Sequence, residues 1–337
     1  MKKTWSKKII QFVSFSSLMS YSITNSYGMC CCTDYSDDEE MASSGTHYSP
    51  FRMQREISGE DQDKLETRAI KLSTKQSLAT TYGAINPKIF SDGSKVTDCK
   101  PGPKELRMFT GAKIGRDDRV RVTDTTEVLW RVHGHLEMLF PNGKKYIGSG
   151  TMVNHRHVLT AGHCLYSIDL GGWATAITFS PALNETYYPI IPAKVTHLLT
   201  VKGWTDETDS RYDMGMLILD RDLGEETGWY GISSDTDKFL KSLSINVTGY
   251  PGDEGKDGRQ MWTMPGSIKK LDSDQFTYTL DTTGGQSGSG VWSHLSHPEG
   301  NYCVGIHTTG GEYYNTATRI SSSKFDRFVS WINTDWK

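Results

Sequence analysis

Thr282-Thr283-Gly284-Gly285-Gln286-Ser287-Gly288-Ser289-Gly290-Val291 sets one serine in a run of glycines, just ahead of Trp292. Glycine accepts positive φ and lets a second piece of chain approach closely. On such a turn Ser287 presents its hydroxyl outward. The amides of Gly285 and Ser287 can then point at one spot, where an oxyanion would form. A Gly/Ser-rich surface loop has the same composition. What separates the two readings is whether a histidine base and an acid stand elsewhere in suitable settings.

Both do. His157-Val158-Leu159-Thr160-Ala161-Gly162-His163-Cys164 reads as an apolar strand that ends in small residues and delivers His163. Arg211-Tyr212-Asp213-Met214-Gly215-Met216-Leu217-Ile218-Leu219 places Asp213 just before a second apolar strand. Alone, His163 reads as a core or surface histidine. The order His163, Asp213, Ser287 is the one used by chymotrypsin-type proteases, among three unrelated orders that build the same triad. Three motifs in that order, each in its expected context, outweigh the bland reading of each.

A chain of 337 residues has room for two domains, or one large domain and an extension. Its 33 glycines and short β-like runs between turn residues point to an all-β architecture. The net charge of −3 gives no general nucleic-acid surface. No run of eighteen or more apolar residues offers a membrane span. Residues 1–28 read as a secretory signal peptide, with Lys2, Lys3, Lys7 and Lys8 ahead of a serine-diluted apolar centre and Ser26-Tyr27-Gly28 at its end. Cys30-Cys31-Cys32 follows. Residues 29–113 are polar, with the acidic run Asp37-Asp38-Glu39-Glu40 and a charged helix expected over 58–70. They read as a pro-segment rather than an idle disordered extension.

From Ala112-Lys113-Ile114-Gly115-Arg116-Asp117-Asp118-Arg119-Val120-Arg121-Val122-Thr123-Asp124-Thr125-Thr126 onward, the chain resembles bacterial glutamyl endopeptidases, secreted members of the chymotrypsin-like superfamily. That stretch is similar to their mature N-terminal segment. The likeness continues through Thr-Ala-Gly-His163-Cys, Tyr-Asp213-Met-Gly, Gly249-Tyr250-Pro251-Gly252-Asp253, Thr-Thr-Gly-Gly-Gln-Ser287-Gly-Ser, Ile306-His307-Thr308-Thr309-Gly310-Gly311 and Thr318-Arg319-Ile320. It covers roughly residues 112–337. The resemblance implies two six-stranded antiparallel barrels of the chymotrypsin type with a C-terminal helix. Residues 114–232 would form the N-terminal barrel, 233–320 the C-terminal barrel and 321–337 the helix. The strand reading agrees, with Pro141-Asn142-Gly143-Lys144 as a hairpin turn. Phe325, Phe328, Val329 and Ile332 fall on one helical face behind a cluster of serines expected to cap it.

Ser287 would attack the scissile carbonyl, His163 would serve as base and then acid, and Asp213 would orient the imidazole. Gly285 and Ser287 would form the oxyanion hole. The resemblance implies that His307 and Thr282 contact an acidic side chain before the cut bond. The chemistry fits, since a histidine and a hydroxyl can both donate to a carboxylate. Thr282, and not an acidic residue, opens the Thr-Thr pair, which argues against Lys or Arg in that pocket. The backbone from Thr308 to Gly310 would pair with substrate as an added strand. Lys113-Ile114 resembles a trypsin-type activation site, but Gln286 replaces the Asp that pairs with the new amine in digestive zymogens. The cut falls after Gly111, Ala112 or Lys113.

The expected protein is thus a secreted serine endopeptidase, extracellular or periplasmic. It would cleave polypeptides after Glu and less readily Asp, be released by an activating protease, and need no cofactor. Its rival is a latent protease-fold binding module with a malformed oxyanion turn or a closed pocket. His133-Gly-His135 and His155-Arg-His157 lack an acidic or cysteine partner nearby and read as solvated strand histidines rather than a metal site. The loop 251–258 does not follow calcium-loop spacing and reads as a turn. Gly290 stands where the family has Pro, and Ser149 where a partner for Cys164 is expected. Cys164 and Cys303 are the only cysteines after residue 113, with their pairing open.

Overall fold

A computed structural model describes residues 59–72, 111–296 and 299–336. The expected signal peptide, the three adjacent cysteines and the acidic run lie outside the described residues. Among the described residues no helix is long and apolar enough to cross a membrane.

The first sheet closes on itself. β3 (His133–Leu139) and β4 (Lys145–Met152) form the expected hairpin, with Gly143 at φ 74° in its turn. β4 pairs with β5 (His157–Thr160), and β5 with β10 (Gly215–Leu219). β10 pairs with β9 (Ala193–Val201), β9 with β8 (Ala176–Pro181), and β8 with β3. This is a six-stranded antiparallel barrel. Closure leaves few open edges. Its interior is filled by Leu136, Met138, Met152, Val158, Phe179 and Leu217, all without solvent exposure. Two short strands, β6 (Tyr166–Ser167) and β7 (Gly172–Trp173), form a ribbon beyond the His163 turn.

The second sheet runs in the order β14-β15-β18-β17-β16-β12-β13. Its strands are β12 (Ile245–Gly249), β13 (Trp262–Gly266), β14 (Ile268–Leu271), β15 (Gln275–Tyr278), β16 (Gly290–Ser296), β17 (Glu299–Gly310) and β18 (Asn315–Arg319). Only Ser267 separates β13 from β14. One bent run of chain therefore pairs with β12 through its first half and β15 through its second, which returns the sheet on itself. The linker between the sheets carries α3 (Gly224–Thr227), α4 (Asp237–Ser242) and β11 (Gly231–Ile232), which pairs in parallel with β17. α5 (Ser322–Asn333) buries Phe325, Phe328, Trp331 and Ile332. The chymotrypsin-like expectation is met: two antiparallel sheets, one closed into a six-stranded barrel, and a C-terminal helix. Ser321 occupies the cap position of α5 but makes no side-chain capping hydrogen bond.

Three local expectations change. The helix expected over 58–70 stops early: α1 spans Gly59–Lys64, and Thr67–Lys71 is a strand, β1. The half of β9 from His197 to Val201 lies beyond its pairing with β8 and offers β1 a ladder. Leu65 enters the first core, and Thr67 Oγ1 accepts hydrogen bonds from Trp331 Nε1 at 2.9 Å and Arg327 Nη1 at 3.2 Å. The segment expected to open the first barrel pairs instead with the second, through β2 (Val120–Arg121) on β13. The strand histidines are not solvated: His133, His135 and His157 are buried, and burial lowers their pKa values to about 3, 3 and 4. Of these four strand histidines, His155 alone is exposed.

Because Leu65 belongs to the core, Leu65→Ala in an uncut Ser287→Ala chain should lower stability by about 2–5 kcal/mol. Urea unfolding of the full chain measures it. An unchanged midpoint would detach α1 and β1 from the folded unit.

Candidate active site

The first barrel supplies the base. β5 ends at Thr160, and a single 3₁₀ turn (Gly162–Cys164) lifts His163 out of the strand direction. Gly162 packs so closely that a Cβ there would lie 2.9 Å from the Trp204 ring. Asp213 follows another short turn and precedes β10, fully buried. One of its oxygens accepts the backbone N–H of His163 at 2.9 Å, and the other bonds Nδ1 of the ring at 2.8 Å. The carboxylate thereby fixes both backbone and ring, and holds the proton of the neutral imidazole on Nδ1. Burial opposes the charged imidazole, but the Asp213 carboxylate outweighs it and raises the His163 pKa above its ordinary value.

The second barrel supplies Ser287, in a turn with Gly285 at φ 96° and Gly288 at φ 86°. A Cβ on Gly285 would lie 2.4 Å from Tyr250 O, and one on Gly288 would lie 2.1 Å from Thr160 Oγ1. Glycine is required at both on two counts, conformation and space. Ser149, on β4, holds this turn. Its N–H donates to Ser287 O at 2.8 Å, and its hydroxyl donates to Gly285 O at 2.8 Å while accepting from Tyr250 N at 3.0 Å. Cys164, next to His163, also reaches Ser287 O through its sulfur at 3.7 Å. These contacts bring the His163 turn and the Ser287 turn together from different barrels. Gly252 N–H donates to Gly284 O at 2.7 Å. In a trans peptide the N–H points opposite to the C=O, so the Gly285 N–H faces away from Gly252.

The expected pocket residues lie on two neighbouring pieces of the second barrel. Thr282 and His307 are fully buried, and Thr282 Oγ1 and His307 Nε2 have no hydrogen-bond partner. His307 is locked by main-chain bonds: its N–H donates to Ser289 O and its carbonyl accepts from Gly288 N, each at 2.8 Å. Tyr278 Oη lies 2.7 Å from His307 Nδ1. Burial, helped by nearby His163 and only partly opposed by the Thr316 backbone, lowers the His307 pKa to about 3, so the ring is neutral at ordinary pH. Where the Tyr278 hydroxyl donates to Nδ1, the neutral ring carries its proton on Nε2; where Nδ1 donates, Nε2 is the acceptor. The β16 ladder stops at Gly290 opposite Ile306. Beyond it Thr309 and Gly310 pair with β18, and Thr308 Oγ1 donates to Thr316 O at 3.4 Å.

Asp281 is a buried carboxylate that the sequence reading passed over. It stands directly before Thr282, but its oxygens accept the backbone N–H groups of Ile114 at 2.6 Å and Asp118 at 2.9 Å. Asn315 likewise binds Ala112, donating to its carbonyl at 2.7 Å and accepting its N–H at 2.8 Å. Gly111 then lies so close that a Cβ would meet Thr282 Oγ1 at 2.2 Å. Cys164 and Cys303 are both buried and free. Among the described residues no three His, Cys, Asp or Glu side chains gather to hold a metal ion.

Residues 133–332 match the trypsin family. A protein of Bacillus subtilis (strain 168) named extracellular metalloprotease is 38% identical over 221 residues, covering 65% of this chain and 69% of that protein. A glutamyl endopeptidase of Bacillus licheniformis is 34% identical over 266 residues, covering 75% of this chain and 80% of its own. The solved structure of a Glu endopeptidase superposes with a TM-score of 0.59 at 24% identity, over 66% of this chain and all of that one.

The Asp213 contact makes a prediction that does not depend on any substrate. By NMR, the His163 imidazole should titrate above the ordinary value of about 6.5. Asp213→Asn should bring it below that value, because burial then acts without the opposing charge. A titration unmoved by the substitution would remove Asp213 as the cause.

Proposed function

The chain belongs to the trypsin family of serine endopeptidases, and from that premise we propose that it is a secreted protease, made as a precursor, that cuts after Glu and less readily after Asp. Ser287 Oγ attacks the scissile carbonyl while its proton passes to His163 Nε2. The N–H groups of Gly285 and Ser287 receive the oxyanion. Collapse of the tetrahedral intermediate hands the proton from His163 to the leaving amine and leaves an acyl group on Ser287. Water, deprotonated by His163, attacks that ester and releases the acid, and Ser287 regains its proton. Asp213 stabilises the imidazolium in both steps. The Gly252 hold on Gly284 supports a competent hole and weighs against the latent-module reading.

Glu preference rests on one observation, the two buried and unpartnered atoms Thr282 Oγ1 and His307 Nε2. Leaving a buried donor unpaired costs roughly 1–3 kcal/mol, so the pair is held ready for an acceptor. Since His307 is neutral in the free protein, it greets the carboxylate as a hydrogen-bond donor. A bound carboxylate then raises its pKa. The Asp281 charge is engaged by backbone amides and does not offer itself to Lys or Arg. Thr308–Gly310 present backbone on the side where the β16 ladder has ended, which suits an added substrate strand. The precursor reading is supported by Gly111, which in the uncut chain sits on Thr282. The signal-like start, and a relative named as extracellular, support secretion.

Purified, processed chain should cut an unstructured protein after Glu, as read by mass spectrometry, and Ser287→Ala should abolish those cuts. A metal chelator should leave them unchanged and a fluorophosphonate should end them; the reverse pattern would favour metal chemistry. His307→Ala should lower kcat/KM toward Glu substrates by about 10- to 10²-fold, the worth of one hydrogen bond to a charged group, with little change in fluorophosphonate labelling. Equal loss of both would make His307 structural.

A further inference from the structure

Arg119 precedes β2 in the segment that lies on the second barrel, and its side chain has no exposed surface. Every N–H of the guanidinium is used. Nε donates to Asp117 Oδ1 at 2.9 Å. Nη1 donates to Thr283 Oγ1 at 2.9 Å and to Gln286 Oε1 at 2.8 Å. Nη2 donates to Asp117 Oδ2 and Asp253 Oδ2, each at 2.8 Å. Two lysines join the cluster: Lys256 Nζ lies 2.9 Å from Asp117 and 3.1 Å from Asp253, and Lys113 Nζ lies 3.5 Å from Asp253. Asp253 also accepts from Thr283 Oγ1 at 2.7 Å, and Gln286 Oε1 from Thr283 N at 3.1 Å.

The targets of this fork are not scattered. Thr283 and Gln286 flank Gly284-Gly285, the peptide whose orientation makes or breaks the oxyanion hole. Asp253 adjoins Gly252, whose N–H turns that peptide. We propose that Arg119 is the positioning residue of the oxyanion turn, gripping both flanks of Gly284-Gly285 and the loop that sets their peptide plane. The inference rests on the serine-endopeptidase mechanism proposed above. It also assigns a purpose to the 251–258 loop, read from sequence as a simple turn. A buried charged network adds little net stability relative to apolar packing, whereas a planar five-donor fork fixes geometry in a way that a lysine cannot. Gln286 lacks the charge to pair with a newly cut amine. The cation comes instead from within the chain, in place before any cut.

The test compares wild type with Arg119→Lys, which keeps the charge and loses the fork, and with Thr283→Val, which removes one target. Three quantities are read: kcat and KM on a chromogenic peptide ending in Glu, inhibition by a peptide aldehyde ending in Glu, and the fluorophosphonate labelling rate. Arg119→Lys should lower kcat by about 10²-fold, as losing one oxyanion donor does, with KM within about threefold. Aldehyde affinity and labelling rate should fall in parallel. Thr283→Val should lower the same quantities by roughly tenfold. If Arg119→Lys loses its cooperative thermal transition, Thr283→Val decides by the same split. A raised KM with kcat kept, or unchanged aldehyde affinity in a folded variant, would overturn the proposal and leave Arg119 as an anchor of its segment. A wild type that labels but does not cut after Glu would refute the specificity reading alone, and labelling rates would still decide this one. A wild type that does not label would overturn both.

Discussion

Two hydrogen bonds from Ser149 hold the site together. Its backbone N–H and its hydroxyl reach from the middle of β4, in the first barrel, to Ser287 O and Gly285 O in the second. Each is buried, and leaving either carbonyl unmet would cost roughly 1–3 kcal/mol. Neither barrel can shift against this turn without breaking them. The demand for close approach explains the glycines: at Gly285 and Gly288 a Cβ would enter Tyr250 O and Thr160 Oγ1. It also accounts for a serine where a disulfide partner of Cys164 was expected. The hydroxyl does what a disulfide-bonded sulfur could not, donating to Gly285 O in the Ser287 turn while accepting from Tyr250 N.

Charge is then sorted by what accompanies burial. His163 and His307 are both removed from water, yet their pKa values move in opposite directions. Asp213 lies against the first and a neutral tyrosine against the second. Environments that push like groups apart assign acid–base roles. In the function proposed above, His163 takes and returns a proton, while His307 is a neutral donor until a carboxylate arrives. Asp281, whose charge would be out of place near the proposed acid-binding pocket, is held by two backbone N–H groups of the 111–119 segment.

The local features were legible in the sequence. The glycine-flanked serine, the histidine after an apolar strand, the hairpin turn at Gly143 and the apolar face of α5 are all carried by neighbouring residues. What was not legible depends on partners far along the chain. β1 forms because β9 has an unclaimed half, which no propensity of residues 67–71 announces. His133, His135 and His157 lie on strands whose outward and inward faces both become buried, so alternation gave no warning. The contacts by which Ser149 and Arg119 hold the Ser287 turn join residues more than a hundred positions apart in sequence. A serine in a strand and an arginine in a charged run carry no periodic signal at all.

The central claim is that residues from both barrels converge on one acyl-transfer centre with an acid-binding pocket beside it. The most direct measurement is a crystal structure of the processed protein inactivated by a phosphonate analogue of a Glu-ending peptide. The account predicts phosphorus bonded to Ser287 Oγ, a phosphonyl oxygen accepting from the N–H groups of Gly285 and Ser287, and the Glu carboxylate on Thr282 Oγ1 and His307 Nε2. A Gly284 carbonyl turned into the hole, or a carboxylate bound away from His307, would contradict it.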